Sequence, residues 1–187
     1  EWCWLKTDVI RLMNDNEINR HTFRPKMPKK WYTHPREWLT TLDIEAVMKQ
    51  YQEEHDDFTF IGPVPIDFDF EPTPGQCIID ELCKINIKQM NNKGKNKLGV
   101  IFNLDKHDQP GSHWVALYAN INKGGIYYFD SYGIEPPNEI KVLMDRLHNQ
   151  TKEYNNKIDK RYNKVRHQHK HSECGMYSMN FIIELLK

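Results

Sequence analysis

The sequence predicts an α+β fold in which a small, mostly antiparallel central sheet packs against helices. Two observations predict this class. The middle of the chain carries short apolar runs rich in β-branched and aromatic residues, separated by turn residues. Other segments repeat apolar residues at helical spacing, and the last of them is apolar on most of its circumference. With 187 residues, of which 39% are hydrophobic, the chain is long enough to bury a core.

The first half of the chain predicts helices on either side of a long loop. Tryptophan, proline and basic residues mix over 1–37, so we expect an N-terminal arm or extension there and one domain over 38–187. Four prolines and the lack of a helical period distinguish the loop from its neighbours. The expected elements are a short helix over 7–17, an amphipathic helix over 43–54, an ordered loop with pieces of edge strand over 58–76 and a helix over 77–87.

The second half predicts the sheet. The turn sequence Asn122-Lys123-Gly124-Gly125 indicates a hairpin, because such residues adopt the backbone angles of tight turns. A proline pair precedes one helical segment, and a strongly apolar helix, expected to be buried, ends the chain. The expected elements are strands over 98–104, 114–121, 126–129 and 162–167, and helices over 140–147 and 174–186.

Composition excludes several classes of protein. The 26 basic and 26 acidic residues cancel, whereas a general nucleic-acid binder normally has a basic excess. No apolar run approaches the ~20 residues of a membrane span, and no signal peptide opens the chain. Four cysteines without a signal peptide predict free thiols in a reducing compartment, so we expect a cytoplasmic protein that is not secreted. These cysteines are Cys3, Cys77, Cys83 and Cys174.

Cys174 is the candidate nucleophile. It opens the last predicted helix, with Ser172 available as an N-cap and Gly175 leaving its approach uncrowded. The helix dipole favours a thiolate at that position, and the thiolate is the reactive form of cysteine. The alternative is a small buried hydrophobic residue, which is our interpretation of the other three cysteines.

His113 and Asp130 are the candidate partners of Cys174. His113 begins the first strand of the predicted hairpin and Asp130 ends the second, and an antiparallel hairpin brings these two positions together. A carboxylate on one ring nitrogen leaves the other nitrogen to accept the thiol proton. Gln168 could donate to an oxyanion beside the Cys174 amide. Taken singly, they could equally be a surface histidine, a strand-end cap and an ordinary polar residue.

A family resemblance rests on these same residues. His113-Trp114, Phe129-Asp130-Ser131, Gln168 and Glu173-Cys174-Gly175 resemble in order and spacing the catalytic signature of the adenain/SUMO-protease clan of cysteine proteases. The likeness is strongest to the polyprotein-processing proteases of the African swine fever virus type, found in large DNA viruses. It covers about residues 98–186 well and the first half only loosely.

The resemblance implies a papain-like catalytic core with the nucleophile at a buried helix N-terminus. Cys174 would attack the scissile carbonyl, His113 would act as base and then acid, Asp130 would orient it, and Gln168 would line the oxyanion hole. Cleavage after Gly-Gly is typical of this clan. Trp114 and Trp38 are the candidates for the walls of the narrow channel that admits two glycines, core packing being the alternative for both.

The function predicted from these residues is a cysteine endopeptidase that processes viral structural polyproteins in the host cytoplasm, the viral factory or the virion. We expect a monomer without a cofactor. A ubiquitin-like deconjugating enzyme and an inactive module that binds ubiquitin-like proteins are the alternatives. A metal site built from His167, His169, His171 and a cysteine is disfavoured, because the short cysteine spacing typical of zinc is missing. A nucleic-acid activator would rest only on two lysine-rich stretches.

Overall fold

The computed structural model of the protein describes residues 23–122, 124–152 and 158–187. The helix predicted over 7–17, most of the predicted arm and Cys3 lie outside the described residues. In the described part of the arm, Lys29–Tyr32 form a 3₁₀ helix. The division at residue 38 stays a prediction. No helix among the described residues is long and apolar enough to cross a membrane.

A five-stranded sheet forms the centre of the described chain, with the strands side by side in sequence order. The central pairs are antiparallel, as the hairpin signal predicts, whereas both outer strands pair in parallel with their neighbours. The parallel edges were not predicted, because a parallel pair leaves no local turn signal. The strands are β1 (Phe58–Pro65), β2 (Lys97–Asn103), β3 (Trp114–Asn120), β4 (Gly125–Phe129) and β5 (Asp159–Tyr162).

Helices cover both faces of the sheet. The first begins at Thr41 rather than at residue 43, because Thr40 and Asp43 form a reciprocal capping box. Within the helix predicted over 77–87, only Asp80–Cys83 form a helical turn before the last residue, and a second short helix, capped by the Asn86 side chain, begins at Ile87. The helices are α1 (Thr41–Glu54), α2 (Asp80–Cys83), α3 (Ile87–Asn92), α4 (Asn138–Thr151) and α5 (Cys174–Leu186).

Side chains alternate along the central strands between two apolar cores, one on each face of the sheet. One core packs α2, α3 and α4 against one face, and the other packs α1 and α5 against the opposite face. Gly99 lets α5 approach closely, since a Cβ there would lie 2.8 Å from the Phe58 ring and 3.1 Å from Ile182. The predicted burial of the last helix is therefore observed, and its N-terminus lies beside Trp114, the first residue of β3.

The ordered loop with pieces of edge strand predicted over 58–76 begins with the eight-residue edge strand β1, in which the register shifts between Ile61 and Val64, around Pro63. Two other expectations about the local structure were wrong. The last strand ends at Tyr162, where the predicted one begins, so 163–173 is irregular. Cys77 and Cys83 are joined by a disulfide rather than free, and Cys174 is the free cysteine of the described residues.

Candidate active site

His113 and Asp130 meet at one end of the sheet. His113 directly precedes β3 and Asp130 directly follows β4, and the pairing of Ala116 with Phe129 places these two ends side by side. The His113 Nε2 atom lies 2.8 Å from Asp130 Oδ1, and the side chains are 13% and 1% exposed. The structure thus brings together the pair that the hairpin predicted, and the other ring nitrogen of His113 remains for a second partner.

Asp130 is fixed by more than the imidazole. The Tyr132 backbone N–H donates to Asp130 Oδ1 at 2.8 Å. The Asn163 side chain accepts from the Asp130 N–H at 2.9 Å and donates to the Asp130 carbonyl at 2.8 Å. A buried carboxylate is tolerated only when it is paired and hydrogen-bonded, and this one is.

Cys174 completes the arrangement from the start of α5. It is buried and interacts with His113. Burial alone would raise the pKa of the thiol, but the hydrogen bond with His113 and backbone hydrogen bonds at Trp114 and Gly175 lower it below its ordinary value. Glu173 occupies the N-cap position without a side-chain bond, so the cap expected from Ser172 is not formed.

The charge of His113 is favoured in turn. Burial lowers the pKa of the imidazole, yet the hydrogen bonds with Asp130 and Cys174, together with their negative charges, raise it to about 9. A lowered thiol pKa and a raised imidazole pKa favour the same state, a thiolate beside an imidazolium. The two groups titrate as a coupled pair.

Gly175 does something other than leave the nucleophile uncrowded. It is buried, and a Cβ on it would lie 3.0 Å from Leu39 Cδ1 and 3.2 Å from Trp114 Cδ1. The absence of a side chain therefore allows two apolar groups to pack against the first turn of α5. The expectation of an open approach over Gly175 was wrong for that reason.

The two tryptophans differ in environment. Trp114 is 7% exposed, its Nε1 donates to the Leu39 carbonyl at 3.1 Å, and its own carbonyl accepts from the Ser178 hydroxyl. Trp38 is 47% exposed and directly precedes Leu39. Core packing thus describes Trp114 but not Trp38, and their role as channel walls stays a prediction.

Gln168 is fully buried and its amide orientation is fixed. The Ser131 hydroxyl donates to its Oε1 at 2.6 Å, and its Nε2 donates to the Lys170 carbonyl at 2.5 Å and, at 3.4 Å, to the Tyr132 hydroxyl. Because a carbonyl only accepts, the contact with Lys170 identifies the nitrogen end of the amide. An oxyanion role for that nitrogen stays a prediction.

Sequence reasoning missed three supporting residues. Asn163 lies within the strand predicted over 162–167, but it directly follows the observed strand β5. Tyr132 lies in an irregular segment, and Ser131 was noted only as part of a motif. An aromatic residue two positions after a candidate aspartate was the one available signal, since the Tyr132 ring stacks on His113 with the ring centroids 4.9 Å apart.

The histidines considered as metal ligands are used differently. His167 packs against the rings of Phe129 and Tyr177. Among the described residues, the group close enough to share a metal ion is Glu71, Cys77 and Cys83, and its two sulfur atoms are bonded to each other. The histidine-rich segment therefore forms no ligand cluster in the part of the chain that the structure describes.

A groove runs beside the first turn of α5. Its volume is about 350 Å³, and it separates α5 from the segment that leads to α1. Both charged and apolar side chains line it, so an extended peptide could bind there through its main chain and side chains. The lining residues include Trp31, Arg36, Leu39, Lys170, Glu173 and Met176.

Sequence comparisons identify relatives. Residues 70–187 match the Ulp1 protease family, C-terminal catalytic domain. A thiol protease of Acanthamoeba polyphaga mimivirus is 41% identical over 180 residues, which are 96% of this chain and 56% of that protein. A cysteine protease of African swine fever virus is 32% identical over 90 residues, covering 46% of this chain and 33% of that protein. The chain thus spans about half the length of the mimivirus relative.

Solved structures share the fold. The crystal structure of the African swine fever virus protease matches 100% of this chain and 72% of that one, with a TM-score of 0.68 and 19% identity. The C-terminal Ulp1 protease domain, solved in complex with Smt3, the yeast ortholog of SUMO, matches 91% of this chain and 80% of that one, with a TM-score of 0.57 and 17% identity. These likenesses confirm the predicted α+β class.

Proposed function

The chain belongs to the Ulp1 protease family, and we propose that it is a cysteine endopeptidase that cleaves after Gly-Gly and processes viral structural polyproteins. The resemblance predicted from the sequence is confirmed by the family match and by the viral relatives. The single observation that carries the proposal is that His113 contacts Asp130 through one ring nitrogen and also interacts with Cys174. A nucleophile, a base and an orienting acid in contact are what acyl transfer requires.

In the proposed reaction the Cys174 thiolate attacks the scissile carbonyl carbon, forming a carbon–sulfur bond while an electron pair moves onto the oxygen. The carbon–nitrogen bond then breaks, and the His113 imidazolium gives its proton to the leaving amine. Water attacks the thioester and passes a proton to His113, and the carbon–sulfur bond breaks to release the acid. Asp130 keeps the imidazole oriented throughout.

The proposed oxyanion donors are the Cys174 backbone N–H and Gln168 Nε2. Support comes from the amide orientation, because Ser131 and Lys170 hold Gln168 from both sides. The 3.4 Å bond to the Tyr132 hydroxyl is the longest of its contacts and the easiest to exchange for an oxyanion. Preorganised donors of this kind typically contribute 10²–10³-fold to the rate.

Selection for Gly-Gly is proposed to come from Trp114 and Trp38. The hydrogen bond from Trp114 to the Leu39 carbonyl keeps the two tryptophan-bearing segments together beside Gly175. Because Trp38 is exposed, Trp38→Ala should leave the melting temperature within about 2 °C of wild type while raising KM for a Gly-Gly peptide. Leu42→Ala, an exposed apolar residue at the start of α1, is the matched control. Equal effects of the two substitutions would contradict the channel.

Removal of a ubiquitin-like modifier is the second candidate function. It is favoured by the likeness to the Ulp1 domain that was solved with Smt3 and by the description of African swine fever virus relatives as SUMO-1 cysteine proteases, whereas the proposal of polyprotein processing is supported by the viral source of the relatives. An inactive binding module is disfavoured, since it would not require the contacts around His113. The proposed location is the host cytoplasm or viral factory and the virion. The Cys77–Cys83 disulfide favours the virion, because cytosolic thiols stay reduced.

Covalent capture tests these alternatives. A short peptide ending in a Gly-Gly vinyl methyl ester and the same electrophile on ubiquitin or SUMO are compared by intact-mass spectrometry. An adduct with the short peptide, absent in Cys174→Ser, is the expected result. An adduct only with a full modifier would favour deconjugation. A folded protein that reacts with neither probe would refute the protease proposal for this chain.

A further inference from the structure

Tyr132 contacts three of the proposed site residues at once. Its ring stacks on the His113 imidazole with a centroid distance of 4.9 Å and an interplanar angle of 28°. Its backbone N–H donates to Asp130 Oδ1 at 2.8 Å, and its hydroxyl accepts from Gln168 Nε2 at 3.4 Å. Tyr132 thus links the proposed base, its orienting acid and the proposed oxyanion donor.

We propose, on the basis of the function above, that Tyr132 is a positioning residue whose ring keeps the His113 imidazolium oriented between Asp130 and Cys174. The hydrogen bond with Asp130 fixes one ring nitrogen of His113 but still allows the imidazole to rotate about that bond. A ring stacked on the imidazole face restricts this rotation and so keeps the other nitrogen directed at the thiol.

The stack also favours the charged state of His113. The face of an aromatic ring is electron-rich and attracts a cation, which contributes about 0.4–0.7 of a pH unit at partly exposed sites. The titratable groups that act on His113 are Asp130 and Cys174, and the Arg166 guanidinium lies 5.1 Å from the centroid of the Tyr132 ring. His167 lies elsewhere, against Phe129 and Tyr177.

The contacts of Tyr132 can be separated experimentally. Its bond to Asp130 uses the backbone and survives side-chain substitution. Tyr132→Phe removes only the hydroxyl, and Tyr132→Leu also removes the ring. Tyr162→Leu is the matched control, because Tyr162 is an exposed tyrosine that packs against Lys164 at 5.4 Å rather than against the site.

The first readout is the rate at which iodoacetamide alkylates Cys174 between pH 5 and 10, which needs no substrate. Tyr132→Leu should move the rising limb of alkylation up by roughly half a pH unit. Tyr132→Phe and Tyr162→Leu should leave it in place. Since this measurement reports the thiolate directly, it tests Tyr132 even if the Gly-Gly proposal fails.

The second readout is turnover of a peptide that the wild-type chain cleaves. Tyr132→Leu should lower kcat about tenfold with little change in KM. It should also move the alkaline limb of the kcat/KM profile to lower pH, so that the pH range of activity narrows from both sides. Tyr132→Phe should stay within about threefold of wild type. Unchanged pH limbs in folded Tyr132→Leu, or equal losses in the Phe and Leu variants, would overturn the proposal. If Tyr132→Leu does not fold, Tyr132→Met provides the same comparison.

Discussion

Replacing Asp130 by asparagine should make the stability of the protein lose part of its pH dependence. In the wild type the pKa of His113 is about 9, against 6.5 for an ordinary histidine, because of hydrogen bonds with Asp130 and Cys174 that outweigh its burial. A raised pKa in the folded state contributes stability that is complete below pH 6.5 and is lost as the pH rises through about 9. The contribution is at most about 3–4 kcal/mol, since one pH unit corresponds to about 1.4 kcal/mol.

The assay is urea unfolding of the wild type and of Asp130→Asn at pH 6.0 and at pH 9.5. Asparagine fills the same space as aspartate but carries no charge. The loss of unfolding free energy in Asp130→Asn, relative to the wild type, should therefore be larger at pH 6.0 than at pH 9.5 by about 1–3 kcal/mol. Asp159→Asn, at an exposed strand-end acid, is the control and should show no such change. If the free energies of unfolding of the wild type and Asp130→Asn differ by the same amount at both pH values, Asp130 is not the cause of the raised pKa of His113.

Three further predictions follow from the packing around the site. Asn163→Ala should lower kcat/KM about tenfold and stability by about 1–3 kcal/mol, because the main chain of Asp130 loses both bonds to that side chain; a fully active, equally stable variant would contradict this. Gly175→Ala should lower the melting temperature and kcat/KM together, since Leu39 and Trp114 would have to move away from the first turn of α5; thermal unfolding and steady-state kinetics at wild-type values would exclude it. Cys83→Ser should lower the free energy of unfolding by about 2 kcal/mol in non-reducing buffer and leave kcat/KM unchanged. Denaturant titration measures the stability and should show no difference from wild type once reductant is added, while steady-state kinetics measures kcat/KM.

The parts of the site that the sequence predicted are those controlled by local structure. His113 and Asp130 flank one hairpin, and an antiparallel turn brings its two ends together whatever the rest of the chain does. Cys174 was identified because the apolar period of α5 begins there. Both inferences needed only the geometry of a single element.

The parts that the sequence did not predict depend on contacts between distant segments. β1 pairs in parallel with β2, and such a pair is specified by packing rather than by a turn. Asn163 follows an exposed four-residue strand, and its position against Asp130 is determined by where β5 docks on β4. The partner of Cys77 could not be deduced either, because spacing alone does not distinguish a bonded pair from two free thiols.

The irregular segment 163–173 connects the residues that follow β4 with the nucleophile at the start of α5. At its start, Asn163 bonds to the main chain of Asp130. At its middle, the His167 and Gln168 amides both donate to the Ser131 carbonyl, at 2.8 and 2.9 Å. At its end it continues into Cys174 at the start of α5. Hydrogen bonds thus hold this segment, which has no secondary structure, to the residues that directly follow β4. Because the segment leads directly into Cys174, these bonds help to position the nucleophile. Regular pairing could not do this, since a continued strand would carry residues 163–168 along the edge of the sheet rather than across its end.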